Sequence, residues 1–400
     1  MQTALARKPI VFATVPWYLP GFRGGGKPVA VRNLTKALAG DFTFKLMTAN
    51  HDLGDRVPYR DVPSNRWTRC EALEAVYIDP HRDALRAVRT MLSDAEYDVL
   101  YLNSIFSRAF AIVPLMLRKF GAVPERTTII APRGELGASA LGVKARRKRS
   151  FLAMARALGL FRGIVWHASG AGEADDIRAL IGTGVRIRTA ADIPNPEWRK
   201  WQPPGYAKSR GRLEVLFFSR ITPVKNLHLA IEALRGVKGE VVFRIAGPID
   251  DSQYWSRCRR QIVTLGSNIL TEYSGPIVSS EVRSMLQRHG LLLLPTAGES
   301  FGFAILEALA AGCPVLIGDR TRWTNLADHG VGWDLPVARI DLMRAAIQAC
   351  VDMGPEAHRA MSLRARAYAQ RYLACDDSIS RHVTMFHAAS GDSGADRMSA

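Results

Sequence analysis

Long apolar runs are missing from this chain of 400 residues. No stretch approaches the roughly 18 to 20 apolar residues that a membrane-spanning helix needs. The opening Met-Gln-Thr-Ala-Leu-Ala-Arg-Lys-Pro also lacks a signal-peptide core, so the expected location is cytoplasmic. Cysteine is scarce. Cys70, Cys258, Cys313, Cys350 and Cys375 are scattered without a Cys-x-x-Cys pair, which argues against a disulfide framework or a zinc site and leaves reduced packing residues. No metal-ligand cluster, internal repeat or low-complexity segment is visible, and the Gly-x-Gly-x-x-Gly dinucleotide fingerprint is absent. Negative charge is in short supply, with 37 Asp plus Glu against 54 Lys plus Arg, a net charge of +17. Such a surplus attracts nucleic acid, acidic lipid surfaces or phosphorylated substrates without choosing among them.

What is present is globular: 48% hydrophobic, 23% charged, 33 Gly, in a length that suggests two domains. The densest signal runs from Thr296 to Leu316. Four leucines, Leu291 to Leu294, closed by Pro295 read as a buried parallel strand. Beyond Phe301 the residues Phe303, Ile305, Leu306, Leu309 and Ala310 recur at helical spacing, and Gly312 with Pro314 stops the helix before a strand at Pro314 to Ile317. Glu299 falls in the loop. Glu307 falls among leucines and alanines, where a carboxylate needs a partner or a shifted pKa. The amides of Gly302 and Phe303 should point out of the helix amino end, which favours an anion such as a diphosphate.

Elsewhere, strand and helix patterns alternate. A strand at Pro9 to Thr14 leads into Gly24-Gly25-Gly26 and a helix from Pro28 to Ala39, a geometry in which backbone amides approach a phosphate. Strands at Phe42 to Met47, Ala75 to Ile78, Val99 to Leu102 and Thr127 to Ala131, with helices at Arg82 to Leu92 and Phe106 to Phe120, predict a parallel doubly wound sheet. Its ligands should sit at the strands' carboxyl ends. One such end carries Arg133 and Glu135 in Pro132-Arg-Gly-Glu-Leu-Gly137. A helix from Val143 to Leu158 follows, with Lys144, Arg146, Arg147, Lys148 and Arg149 as either a solvated cationic face or a docking surface for an anionic membrane. His167 ends a strand from Gly163 and reads as a structural residue more readily than a catalyst. Ile193 to Pro196 closes the first domain, and Trp198 to Arg212 has linker composition. The second domain opens with a strand at Leu213 to Phe218 that delivers Arg220 and Lys225, two cations able to grip a diphosphate from two sides. Strands at Glu240 to Ala246 and Ile269 to Tyr273 and helices at Ala338 to Val351, Glu356 to Arg371 and Asp377 to His387 complete it, with a disordered tail expected from Ser390. The expected division is 1–197, 198–375, and 376–400 as terminal helix and tail.

Glu299, seven residues and Glu307, embedded in Gly-Glu-Ser-Phe-Gly-Phe-Ala-Ile-Leu-Glu-Ala-Leu-Ala-Ala-Gly-Cys-Pro-Val, resemble the signature of retaining glycosyltransferases of family 4. The Ser219 to Asn226 string is similar to that family too, and Pro-Arg-Gly-Glu before a basic helix resembles bacterial polysaccharide enzymes. The resemblance implies an α/β GT-B fold: two Rossmann-like doubly wound domains with a cleft between them, a nucleotide-diphosphate sugar in the second, a saccharide or lipid-linked saccharide acceptor in the first, and a terminal helix crossing back. It implies that Arg220 and Lys225 hold the donor phosphates, that Gly25 and Gly26 lie against the donor, and that the turn at Tyr273 to Ile277 meets the nucleobase. Other members carry a His in the Pro132 loop. This chain has none, and Arg133 or Glu135 stands in that place. Trp323 and Val331 to Pro336 fit the resemblance without a mechanism of their own. The expected activity is retaining, metal-independent and cofactor-free sugar transfer in exopolysaccharide, capsule or lipopolysaccharide synthesis, by a protein that is cytoplasmic or peripheral on the inner membrane. The rivals are a nucleotide-sugar 2-epimerase and a basic nucleic-acid-binding protein. The latter leaves Glu299 and Glu307 unexplained and lacks aromatics beside its basic helix.

Overall fold

The structure is a computed structural model that describes residues 7–142, 145–201 and 205–391. Lys144, the middle of the linker stretch and the tail beyond Gly391 lie outside the described residues. The chain divides into two compact units, Met1–Ile193 with Asp377–Ala400, and Pro194–Asp376.

Among the described residues the first unit is built on eight strands: β1 (Ile10–Thr14), β2 (Thr43–Ala49), β3 (Trp67–Cys70), β4 (Leu73–Ile78), β5 (Val99–Leu102), β6 (Thr127–Ile130), β7 (Val165–Ala168) and β8 (Arg186–Thr189). They are ordered β3-β4-β2-β1-β5-β6-β7-β8, all parallel except the β3–β4 pair. Successive strand side chains point to opposite faces. Phe12 accordingly enters one core cluster while Val11 and Ala13 enter the other. Both faces are therefore apolar, as a parallel sheet covered on two sides requires. The terminal helix Ser378–Gly391 contributes Met385, Phe386 and Ala389 to the Val11 cluster. Phe386 is fully buried, with ring centroids 5.2 Å from Tyr101 and 5.5 Å from Phe42. Its burial is worth about 2–3 kcal/mol, which is what anchors this late segment in the first unit.

The second unit has β9 (Arg212–Phe218), β10 (Glu240–Ala246), β11 (Ile269–Gly275), β12 (Leu291–Leu294), β13 (Val315–Gly318) and β14 (Gly332–Leu335), ordered β11-β10-β9-β12-β13-β14 and parallel throughout. The four leucines of β12 are completely buried, so the run without polar alternation marks a central strand.

The elements depart from the sequence reading where local chemistry intervenes. The helix expected over Phe106 to Phe120 is a π-helical turn, Arg108–Ile112, followed by an α-helix, Val113–Lys119. Pro114 has no N–H to offer the Phe110 carbonyl, which accepts the Thr14 hydroxyl at 2.6 Å instead. Ahead of the basic helix, described over Ala145–Ala157, the residues Ala138–Gly142 are also helical. Strands β3 and β8 carry exposed charged residues at the sheet edges, where burial writes no apolar pattern.

Candidate functional site

The carboxyl ends of β9 and β12 lie side by side because these strands pair. The loop after β9 is stitched to the loop after β12: the Ala297 N–H donates to the Val224 carbonyl at 2.9 Å, and the Asn226 side-chain Nδ2 donates to the Pro295 carbonyl at 2.9 Å. This brings Lys225 Nζ to 2.5 Å from Glu299 Oε1, with each side chain only 14% exposed. Arg220 pairs with Asp250 Oδ2 at 2.7 Å and stays partly open to solvent. Each sequence-predicted cation thus has a carboxylate beside it, and one of those carboxylates is itself a predicted site residue.

Gly302 caps the Phe303–Ala310 helix in the left-handed region at φ 83°, with no side-chain cap and no acidic residue in the first turn. The first amides therefore keep their partial positive charge. A Cβ on Gly302 would meet Ile305 and the Trp323 indole at 3.0 Å. Trp323 Nε1 donates to the Phe301 carbonyl at 2.8 Å, which gives this buried tryptophan a structural purpose: it holds the turn that starts the helix. Phe303 packs its ring at 4.7 Å from Phe301, leaving its amide as the group able to meet a ligand. One turn on, Glu307 is half-buried, and desolvation alone pushes its carboxyl up to about 8. Among the described residues no hydrogen bond or ion pair to this carboxyl is recorded. Asp334 of β14 accepts the Asn325 and Leu326 amides at 3.0 and 2.9 Å, so the Gly-Trp-Asp segment pins the turn that follows Trp323.

In the first unit, Gly25 has φ 71° and caps the Gly26–Ala37 helix. Lys27, unremarked in the sequence, forms an ion pair with Glu135. Glu135 also accepts from the Ser104 hydroxyl at 2.9 Å and the Ile105 amide at 2.7 Å. Burial pushes its carboxyl up, but Lys27 and these donors outweigh burial and hold it below the usual range. Glu135 thereby ties together the ends of β1, β5 and β6. Arg133 is 7% exposed, at φ 55°. It forms an ion pair with Asp192 and donates to Tyr101 Oη at 2.8 Å and Asn103 Oδ1 at 2.9 Å. Its guanidinium is committed to this buried network. His167 belongs to the same network: Nε2 donates to the Ala190 carbonyl at 2.9 Å, so Nδ1 accepts from Tyr101 Oη at 2.7 Å. Burial holds this imidazole well below its ordinary pKa, in keeping with a structural residue.

On the basic helix Arg146, Arg147 and Arg149 are exposed. Lys148 instead donates to the Ala140 carbonyl at 2.6 Å and lies 5.1 Å over the Phe106 ring. Among the described residues no group of three His, Cys, Asp or Glu could hold a metal ion, and no helix is long and apolar enough to cross a membrane. The partners that sequence reasoning missed, Lys27, Asp192 and Asp250, were visible only as ordinary charges. Lys27 alone had a local signal, a cation directly behind three glycines.

Residues 201–368 match the family model described as glycosyl transferases group 1. A curated relative, a putative colanic acid biosynthesis glycosyltransferase WcaL of Salmonella typhimurium, is 34% identical over 134 residues, 31% of this chain and 32% of that protein. The chain thus spans about a third of the length of this relative. Sucrose-phosphate synthase from Thermosynechococcus elongatus superposes with a TM-score of 0.71 at 17% identity, covering 97% of this chain and all of that one. Anabaena HepE, solved in complex with UDP and glucose, superposes with a TM-score of 0.67 at 16% identity over 96% of this chain and all of that one. Both units are Rossmann-like, and the fold is GT-B.

Proposed function

We propose, from a glycosyl transferases group 1 domain over residues 201–368 in a chain of GT-B fold, that the protein is a retaining glycosyltransferase of bacterial polysaccharide synthesis. It moves a sugar from a nucleoside-diphosphate sugar to a saccharide or lipid-linked saccharide. The observation that carries the reading is the grouping in the second unit of Arg220, Lys225 paired to Glu299, and a helix with an uncapped amino end bearing Glu307. Two cations and a helix terminus suit a diphosphate. In this reading they also stabilise the charge that grows on it as the glycosidic bond breaks, and catalysis proceeds without a metal ion. Glu307 accepts the hydrogens of the ribose diol, because a carboxylate has only acceptors to offer and a diol supplies two donors. Glu299, held in place by Lys225, orients the donor sugar. Retention follows from front-face attack in which the leaving diphosphate oxygen takes the acceptor proton, so that no separate base opposite the leaving group is needed. The UDP bound in HepE and the colanic acid named for WcaL favour a nucleotide-sugar donor and a polysaccharide product.

The acceptor's membrane would be met by the basic helix. Met154, 54% exposed, falls seven positions after Arg147 on one face of the Ala145–Ala157 helix, and Leu158, equally exposed, directly follows the helix. Cations with exposed apolar residues behind them suit an anionic lipid surface.

Calorimetric titration of UDP, GDP, ADP and dTDP in EDTA-containing buffer tests the donor site. Binding of at least one, with turnover of the matching nucleotide sugar, is expected. Binding that appears only with Mg²⁺ or Mn²⁺ removes the metal-independent mechanism, and binding of none removes the assignment.

A further inference from the structure

At the carboxyl end of β2 the chain runs Asn50-His51-Asp52, three polar residues 4 to 6% exposed. The Asp52 carboxylate is occupied: Oδ2 accepts the Phe22 and Arg23 amides at 2.9 and 3.2 Å, and Oδ1 accepts the Leu53 amide at 2.7 Å. Asp52 therefore grips the loop that leads into Gly24-Gly25-Gly26. His51 is different. Its Nδ1 lies 3.0 Å from the Asp52 carbonyl oxygen, and a carbonyl only accepts, so Nδ1 carries the hydrogen. In the neutral ring Nε2 is then a bare lone pair, and among the described residues this buried atom has no hydrogen-bond partner. A buried acceptor left unmet is costly, and here it stands at the end of the sheet where doubly wound folds bind ligands. The His81 ring, exposed on the turn after β4, lies over that of His51 with centroids 5.6 Å apart and planes 10° from parallel.

The chemistry of a group that would suit Nε2 follows from its surroundings. Nε2 asks for a hydrogen-bond donor. Two carboxylates stand close, Asp52 next in sequence and Asp79 beside both imidazoles, and they disfavour an anion. A neutral hydroxyl satisfies both conditions, and a saccharide presents several.

We infer that His51 binds the acceptor sugar, its Nε2 accepting the hydrogen of an acceptor hydroxyl once the His81 ring turns aside. The inference rests on the glycosyltransferase reading. Two variants of the full-length protein test it. His51→Asn keeps a donor for the Asp52 carbonyl and drops the distal acceptor, whereas His51→Gln places an amide oxygen near the Nε2 position. The probes are UDP for the donor site and the methyl glycosides of glucose, galactose, mannose and fucose for the acceptor site, with ¹⁵N-histidine NMR as readout. The wild-type unprotonated Nε2 resonance should move on titration with at least one glycoside. The KM of that glycoside should rise about tenfold or more in His51→Asn and recover in His51→Gln, with UDP affinity equal in all three proteins. A glycoside panel that never moves this resonance, or a KM unchanged in His51→Asn, overturns the inference while leaving the donor site standing. Failure of wild type to bind any nucleoside diphosphate falls instead on the glycosyltransferase reading.

Discussion

Replacing Glu307 by Gln should change how the protein responds to pH both free and with nucleotide bound. In the free protein, burial alone lifts the carboxyl from its ordinary 4.5 to about 8. The folded state therefore holds this proton more tightly than the unfolded chain. The stabilising contribution is complete below about pH 4.5 and is lost as pH rises towards 8. At about 1.4 kcal/mol per pH unit the ceiling on that loss is ~5 kcal/mol. A residue only half-buried should show about 2–3 kcal/mol of it once solvent screening is allowed for. Urea unfolding at pH 5 and pH 9 measures this directly: the stability difference between Glu307→Gln and wild type should move by about 2–3 kcal/mol in favour of the variant across that interval. Binding supplies the second half. A ribose diol donating two hydrogen bonds to the ionised carboxyl draws its pKa down, so nucleoside-diphosphate binding near pH 7 should release a proton. That release appears as a dependence of calorimetric enthalpy on the buffer's ionisation enthalpy. Because the nucleotide's own phosphate titrates identically in both proteins, the difference between wild type and variant isolates Glu307. Parallel pH–stability profiles together with equal proton release would refute the reasoning.

Arg220→Ala and Lys225→Met should each weaken nucleoside-diphosphate binding by roughly 1–3 kcal/mol in calorimetry, and unchanged affinity in both would remove them from the donor site. Since Lys225 and Glu299 touch, the Lys225→Met and Glu299→Gln effects on kcat/KM should couple by at least ~0.5 kcal/mol in a double-mutant cycle; strict additivity would contradict the pairing. Arg133→Ala, which strands Asp192 in a site 2% exposed, should cost about 3–5 kcal/mol in chemical denaturation, and a loss below about 1 kcal/mol would show that the network is not structural. Substituting Arg146, Arg147 and Arg149 with Gln should abolish salt-sensitive sedimentation with phosphatidylglycerol vesicles, at about 1 kcal/mol per cation, while sparing nucleotide binding. Vesicle binding indifferent to salt and to these residues would leave the helix a solvated face.

The parts of the fold that were legible in advance are those whose burial writes a pattern. The unbroken Leu291 to Leu294 run could only be a central strand, and Val99–Leu102 and Glu240–Ala246 fall where their apolar residues predicted them. Strands β3 and β8 sit at exposed edges and carry charges, so their residues resemble loop. Pro114 falls inside the single helix expected over Phe106 to Phe120, and its consequence depends on Thr14, almost a hundred residues earlier, reaching the Phe110 carbonyl. The same division runs through the candidate site. Glu299, Glu307, Arg220 and Lys225 stand out because charged residues interrupt apolar strand–loop–helix units. The direct contact of Lys225 with Glu299 was not readable, because it is made by two loops stitched by a backbone bond and a single asparagine side chain, neither of which names its partner in the sequence. Arg133 illustrates the limit most clearly. Its loop position is that of a ligand contact, and only the ion pair with Asp192 shows how its charge is used.

Proton NMR of the reaction mixture tests the central claim most directly. An α-linked nucleotide sugar that supports turnover is incubated with the full-length protein and an acceptor glycoside, and the anomeric signal of the new linkage is followed from the first turnovers, before any equilibration. Front-face transfer, with the charge of the departing diphosphate carried by Arg220, Lys225 and the amino end of the Phe303–Ala310 helix, predicts an α-anomeric product signal. A β-anomeric product would contradict that mechanism and demand a base opposite the leaving group, and a glycosyl ester trapped on Glu299 would contradict the orienting role given to that carboxylate.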